Sequence, residues 1–210
     1  IVPDVHGVSD LYLRVGRRFA AAGFLAFVLD PYSREGAPKL GDMEAVFAWI
    51  AALDDRRVLG DIAVAADFVA GLPAVGGHPV GVLGFCLGGQ YAFLAACGPA
   101  RVAAAVSFYG MLRYATHDEH KPAAPLDVVD RLACPWLGLF GAEDALVPAA
   151  DVAELDAGLR RHGKDATIQV YAGAGHAFCN DTRPDAWRPE AAADAFARAE
   201  AFLRQHLGRA

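Results

Sequence analysis

Six residues, Gly84-Phe85-Cys86-Leu87-Gly88-Gly89, constrain this chain more than any other stretch. The apolar run Pro79-Val80-Gly81-Val82-Leu83 leads into them, and Gln90 to Ala96 leads out at helical spacing. Together they read as a buried strand, a very tight turn and a helix. The side chain at the tip of such a turn takes a strained backbone conformation. Its flanking positions must be nearly free of side chains so that strand and helix can pass close together. The pattern is that of a nucleophile elbow, with Cys86 where serine more often stands. The turn lifts the sulfur clear of the sheet and over a helix N-terminus, where the dipole and free N–H groups favour thiolate over thiol. Taken alone, the stretch also reads as a glycine-rich turn holding a buried structural cysteine.

With 210 residues, 55% of them hydrophobic and 21% charged, the chain reads as one globular domain over 1–210 with a sizeable core. A net charge of -6 argues against a nucleic-acid or anionic-membrane partner. No run approaches the roughly 18 unbroken apolar residues of a membrane span, and no signal peptide is visible. Cys86, Cys97, Cys134 and Cys179 form no CxxC pair and read as reduced cytoplasmic thiols. Cys97 and Cys134 fit core packing.

Along the chain, Ile1 to Gly7 reads as the end of a strand running into a loop. Its abrupt start suggests a sheet whose first strands are missing from this sequence. Leu11–Ala22 has helical spacing and Gly23 as its stop. The continuous apolar run Phe24–Asp30 predicts a buried parallel strand. Helices follow over about Gly41–Ala52 and Val58–Gly71, then the elbow strand at 79–85 and its helix to Ala96. Val102–Tyr109 predicts a buried strand, 111–126 a loop, and Asp127–Leu132 one helical turn. Pro135–Gly141 is a strand, Ala150–His162 a helix, Ala166–Tyr171 the last strand, and Pro189–Leu207 a closing helix. Apolar strands alternating with helices imply a mostly parallel α/β sheet covered on both faces, with function gathered where the strands end.

Two further strand ends carry suitable residues. Phe140-Gly141-Ala142-Glu143-Asp144 ends in adjacent acids, and Tyr171-Ala172-Gly173-Ala174-Gly175-His176-Ala177-Phe178 puts a histidine in a glycine-rich loop. The order nucleophile, acid, histidine is that of the α/β-hydrolase arrangement. A thiol must lose its proton to attack a carbonyl, an imidazole can take and return that proton, and an acid holds the imidazole's tautomer. Asp144 is preferred to Glu143 because it stands directly before the Ala145-Leu146-Val147-Pro148 turn.

On these motifs the chain resembles the dienelactone hydrolase family of the α/β-hydrolase superfamily along essentially its whole length. The resemblance implies a catalytic triad of Cys86, Asp144 and His176, and an oxyanion hole from the backbone N–H groups of Leu87 and Val5. It implies no cofactor. A family glutamate that helps generate the thiolate corresponds here to Asp4, one methylene shorter. The family's best-known members hydrolyse dienelactone and grip its carboxylate with two arginines, where this chain has Asn180 and about Met43. Arg183 is a candidate for reaching back to the site, and His6, Phe85 and Phe178 are candidate pocket residues. Tyr32, Tyr109 and Trp187 read as core or pocket wall. His117-Asp118-Glu119-His120 reads as a solvated loop, without the third ligand that a metal site needs.

The expected function is a hydrolase of small esters or lactones acting through an acyl-enzyme, as a monomer or small homo-oligomer. The alternatives are a non-catalytic reactive-thiol protein, sensing or binding, on the same fold, and a peptidase or thioesterase sharing the fold but not the substrate.

Overall fold

The computed structural model describes residues 1–208. Four parallel strands, β1 (Gly81–Phe85), β2 (Ala104–Phe108), β3 (Trp136–Gly141) and β4 (Ala166–Tyr171), lie side by side in chain order. Their register pairs Phe85 with Phe108, Phe108 with Leu139, and Gly141 with Tyr171. All four strands therefore end along one edge, and the loops after β1, β3 and β4 emerge together. The two central strands are buried throughout, as their apolar sequences require for a sheet covered on both faces.

Among the described residues, six α-helices supply that cover: α1 (Asp10–Ala21), α2 (Met43–Ala52), α3 (Asp55–Ala70), α4 (Leu87–Ala96), α5 (Ala149–Arg161) and α6 (Pro189–Leu207). On one face α1 brings Leu11, Tyr12, Val15 and Phe19, and α6 brings Ala195, Phe196, Ala199 and Leu203, against Phe85 and Phe108. On the other, Val58, Ile62, Phe93 and Leu155 pack with Trp136. Each large apolar side chain so buried contributes on the order of 1.5–3 kcal/mol. Local chemistry sets the helix starts. Asp42 accepts from the Ala45 N–H at 2.9 Å ahead of α2, and Asp54 accepts from the Arg56 N–H at 2.9 Å ahead of α3.

The elbow helix α4 is buried on every side. Its one apolar-face rule is replaced by enclosure between the sheet and α3, which explains why its sequence has no polar stripe. The Ser107 hydroxyl locks it to β2 by donating to the Gly89 carbonyl at 2.7 Å while accepting from Trp136 Nε1 at 2.9 Å. The irregular stretch 111–126 is tied down from within, because Tyr114, Lys121 and, from α4, Tyr91 all converge on the buried Asp55.

One expected strand is corrected. Phe24–Asp30 is extended but forms no strand ladder, and its residues alternate between half-buried and exposed, with Leu25 and Phe27 turned outward. Beyond the turns at its two ends, its backbone bonds run to Ile1, which donates to the Phe27 carbonyl and accepts from the Leu29 N–H. Ile1–Pro3 in turn meets β1 through a single bridge, Val2 to Gly84. An apolar run is buried only where neighbours cover both faces, and here one side stays open. The expected helical turn at Asp127–Leu132 is a 3₁₀ stretch, Pro125–Arg131.

Candidate active site

Cys86 sits between β1 and α4 with φ 53° and ψ −118°, a conformation that costs a non-glycine residue on the order of 1–3 kcal/mol. Its N–H donates to the Phe108 carbonyl at 2.9 Å, and its carbonyl accepts from the Gln90 N–H at 3.1 Å, closing the first helical turn. The glycines around it are required by close approach. A Cβ on Gly84 would lie 2.0 Å from the Gly88 carbonyl oxygen, and one on Gly88 would lie 2.2 Å from that of Val2. The Val2–Pro3 backbone therefore crosses directly over the start of α4 and brings the Asp4–Gly7 turn beside Cys86.

The loops after β3 and β4 complete the arrangement. His176 Nδ1 lies 2.8 Å from Asp144 Oδ2. The other carboxylate oxygen of Asp144 accepts from the N–H groups of Leu146, at 2.8 Å, and Val147, at 3.1 Å, so the acid is fixed before it meets the ring. Glu143 points to solvent, but its N–H donates to the Ala174 carbonyl at 2.9 Å and joins the acid loop to the histidine loop. His176 Nε2 is buried with no hydrogen-bond partner of good geometry, and Cys86 is the group close by on that side. Burial opposes a charge on this ring, but the Cys86 sulfur and the Asp144 carboxylate outweigh it and push the imidazole up to about 10. The arrangement favours the charged form of the ring.

Backbone strain is concentrated here. Among the described residues, the non-glycine residues with positive φ are Cys86 at 53°, Tyr109 at 41° and Ala177 at 60°, which stand at the elbow, just after β2 and directly after the histidine. Tyr109 is fully enclosed, with its ring 5.2 Å from that of His176 and 5.4 Å from that of Phe178. It holds the imidazole from behind, a role no local sequence signal announces.

Asp4 occupies the first loop. Its carboxylate accepts from the His6 N–H at 2.9 Å, and its carbonyl accepts from the Gly7 N–H at 3.0 Å. The buried Tyr12 of α1 lies close to the same carboxylate, and burial, reinforced by the charge of Asp4, holds its phenol well above the usual range. It is therefore neutral. Sequence reading missed Tyr12, because at its place in α1 it looks like any other core residue. Among the described residues, the N–H groups of Leu87 and Val5 have no protein acceptor.

Other candidates lie elsewhere. Phe85 stacks on Phe108 at 4.4 Å in the core, and Phe178 packs on Tyr171 at 5.1 Å, also in the core. His6 is exposed on its turn. Arg183 is exposed and nearest in charge to Asp185, at 3.8 Å, and reaches no site residue. Asn180 is spent on its own turn, its Oδ1 accepting from the Thr182 N–H at 2.9 Å and the Thr182 hydroxyl at 2.6 Å. Met43 is exposed at the start of α2. His117 pairs with Asp127 at 2.7 Å. A groove of about 170 Å³ is lined by apolar residues including Phe24, Leu25, Val69 and Leu203, and holds none of Asp4, Cys86, Asp144 or His176. No helix among the described residues is long and apolar enough to cross a membrane.

With this geometry in place, comparison with known proteins is informative. The model of the dienelactone hydrolase family matches residues 1–207. A Bradyrhizobium protein named as a 2-oxo-3-(5-oxofuran-2-ylidene)propanoate lactonase is 38% identical over 207 residues, covering 99% of this chain and 83% of its own. An Escherichia coli K12 protein named as a carboxymethylenebutenolidase is 33% identical, covering 100% of this chain and 77% of its own. Among solved structures, a Klebsiella pneumoniae protein described as a dienelactone hydrolase superposes with a TM-score of 0.87 at 32% identity, covering 97% of this chain and 85% of that one. The architecture is the α/β-hydrolase fold.

Proposed function

The chain belongs to the dienelactone hydrolase family and is a carboxylic ester hydrolase, and we propose that it cleaves small esters or lactones through an acyl-enzyme on Cys86. The observation that carries this reading is the placement of His176, bonded to Asp144 through one nitrogen and facing Cys86 with the other.

In the proposed reaction the Cys86 thiolate adds to the substrate carbonyl carbon, and the carbonyl electron pair moves onto oxygen. The N–H groups of Leu87 and Val5, both without protein acceptors, take that oxyanion. Collapse restores the carbonyl and breaks the bond to the alkoxide, which leaves with the proton of His176 Nε2. The neutral imidazole then takes a proton from water as the water oxygen attacks the thioester. The second collapse expels the thiolate and frees the acid. Asp144 fixes the tautomer and stabilises the imidazolium throughout. Asp4 stands as the partner of the resting thiol, anchored by the His6 N–H.

For substrate, the names of the relatives point to unsaturated five-membered lactones. Asn180 and Met43 offer no guanidinium fork for a carboxylate, so short neutral esters and lactones are the proposed preference. Release of p-nitrophenol from short-chain esters, with hydrolysis of a dienelactone alongside, tests both parts. Turnover is expected in the wild type and absent in Cys86→Ala. Equal turnover in the mutant, or none in the wild type while Cys86 is alkylated rapidly at neutral pH, rejects the mechanism and favours a thiol-reactive protein.

A further inference from the structure

The Asp4–Gly7 turn carries one of the two proposed oxyanion donors, yet it is a loop with few bonds of its own. Its inner bonds are those of Asp4 to the N–H groups of His6 and Gly7. What holds it from outside is Tyr32. This side chain is buried, 1% exposed, and its hydroxyl donates to the Val5 carbonyl at 3.0 Å. The same oxygen accepts from Trp49 Nε1 of α2 at 3.3 Å, and the two rings meet edge to face at 5.8 Å. Tyr32 also packs against Gly7, where φ is +77° and a Cβ would come within 2.8 Å of the Tyr32 ring. A relay from Trp49 through Tyr32 to Val5 therefore holds the residue whose N–H is the proposed oxyanion donor.

We propose that Tyr32 is a positioning residue for the oxyanion hole, acting through the Val5 carbonyl to aim the Val5 N–H, with Trp49 orienting the Tyr32 hydroxyl. The inference rests on the reading of Cys86 and Val5 given above. A hydrogen bond to the Val5 carbonyl holds the peptide plane joining Val5 to His6, and through the Val5 Cα it restrains the neighbouring plane that carries the Val5 N–H. An oxyanion donor displaced by about an ångström loses most of its worth, with effects of up to roughly 10²-fold. Burial raises the Tyr32 phenol above its ordinary value, while the Trp49 bond opposes this, so the hydroxyl remains a proton donor through the working pH range. Nothing in this geometry touches the sulfur, the imidazole or the carboxylate of Asp144. The effect belongs to the oxyanion alone.

Tyr32→Phe separates this role from simple packing, because it keeps the ring against Gly7 and removes only the donor. Three readings are taken on wild type and variant. These are kcat/KM on a p-nitrophenyl ester, inhibition by a short aliphatic aldehyde, and the rate of Cys86 alkylation by iodoacetamide. The aldehyde is the decisive probe: the thiolate adds to its carbon, forming an S–C bond, and the carbonyl pair becomes an alkoxide in the same hole. Expected are losses of about tenfold in kcat/KM and in aldehyde affinity together, with alkylation, KM and the unfolding midpoint nearly unchanged. Trp49→Phe should shift the same two readings in the same direction by a smaller factor, and it takes over the test if Tyr32→Phe does not fold. Aldehyde affinity and kcat/KM within about twofold of wild type overturn the proposal, as does a parallel fall in alkylation. Wild-type hydrolysis that does not depend on Cys86 overturns the proposed function itself, a result distinct from a silent Tyr32→Phe.

Discussion

Lys121 Nζ lies 2.6 Å from Asp55 Oδ1, with the two side chains only 3% and 1% exposed. The hydroxyls of Tyr91, at 2.8 Å, and Tyr114, at 2.6 Å, complete the shell of the carboxylate. A buried pair of this kind is costly to halve, because the partner left behind has neither water nor counter-charge. Lys121→Met should lower unfolding free energy by about 3 kcal/mol in a urea titration. Asp55→Leu combined with Lys121→Met should cost less than the sum of the two single changes. A loss below about 1 kcal/mol for the single mutant would show that the pair contributes little.

The His176 imidazole responds to Cys86 in a direction that can be checked. Its folded value, about 10 against an ordinary 6.5, means the charged ring is favoured in the native state. The stability it contributes is fully present below about 6.5 and is lost as pH rises through about 10. Cys86→Ala removes the largest influence that raises this value and leaves the burial that opposes it, so a proton NMR titration should find the ring titrating markedly lower. An unchanged titration would separate the imidazole from the sulfur.

Asp144→Asn keeps an oxygen for the Leu146 and Val147 N–H groups but no longer neutralises an imidazolium. Turnover of a p-nitrophenyl ester should fall by roughly 10³–10⁴-fold at neutral pH, with a small change in the unfolding midpoint. Glu143→Gln, at an exposed position, should leave turnover within about twofold. Similar losses in both would reassign the acid.

Gly88→Ala tests the close crossing of the first loop over α4. A methyl group there would meet the Val2 carbonyl at 2.2 Å, with backbone and not a flexible side chain to give way. The variant should lose ester turnover and melt well below wild type, by several degrees for each kcal/mol lost. A protein with wild-type melting and full turnover would show that the loop has room to move.

The parts of this molecule that sequence reveals are those written in consecutive residues. The strand Ala166–Tyr171 and the helix Pro189–Leu207 have the bounds that their patterns predict, because period and stop signals are local. The glycines of the elbow and the two strand-end motifs pointed to Cys86, Asp144 and His176 for the same reason, and these side chains do lie together. What stayed hidden depends on distant pairs. Tyr12 on Asp4, Tyr32 on Val5, Tyr109 behind His176 and Lys121 on Asp55 are each an ordinary aromatic or charged residue until the fold supplies the partner. Phe24–Asp30 was misread because hydrophobicity reports a preference for burial, whereas the two neighbours that would satisfy it are a matter of topology.

The sheet order β1, β2, β3, β4 also gives the molecule a direction in time. Each new strand docks on the open side of the one before it, so a chain leaving the ribosome from its N-terminus lays down the sheet as it is made. Cys86 arrives with the first of these strands, Asp144 after the third and His176 only after the fourth. A nascent chain thus carries its cysteine through the synthesis of the next 90 residues, from 86 to 176, before it has the imidazole that will face it. The thiol is paired with its histidine only when the last strand has closed the sheet.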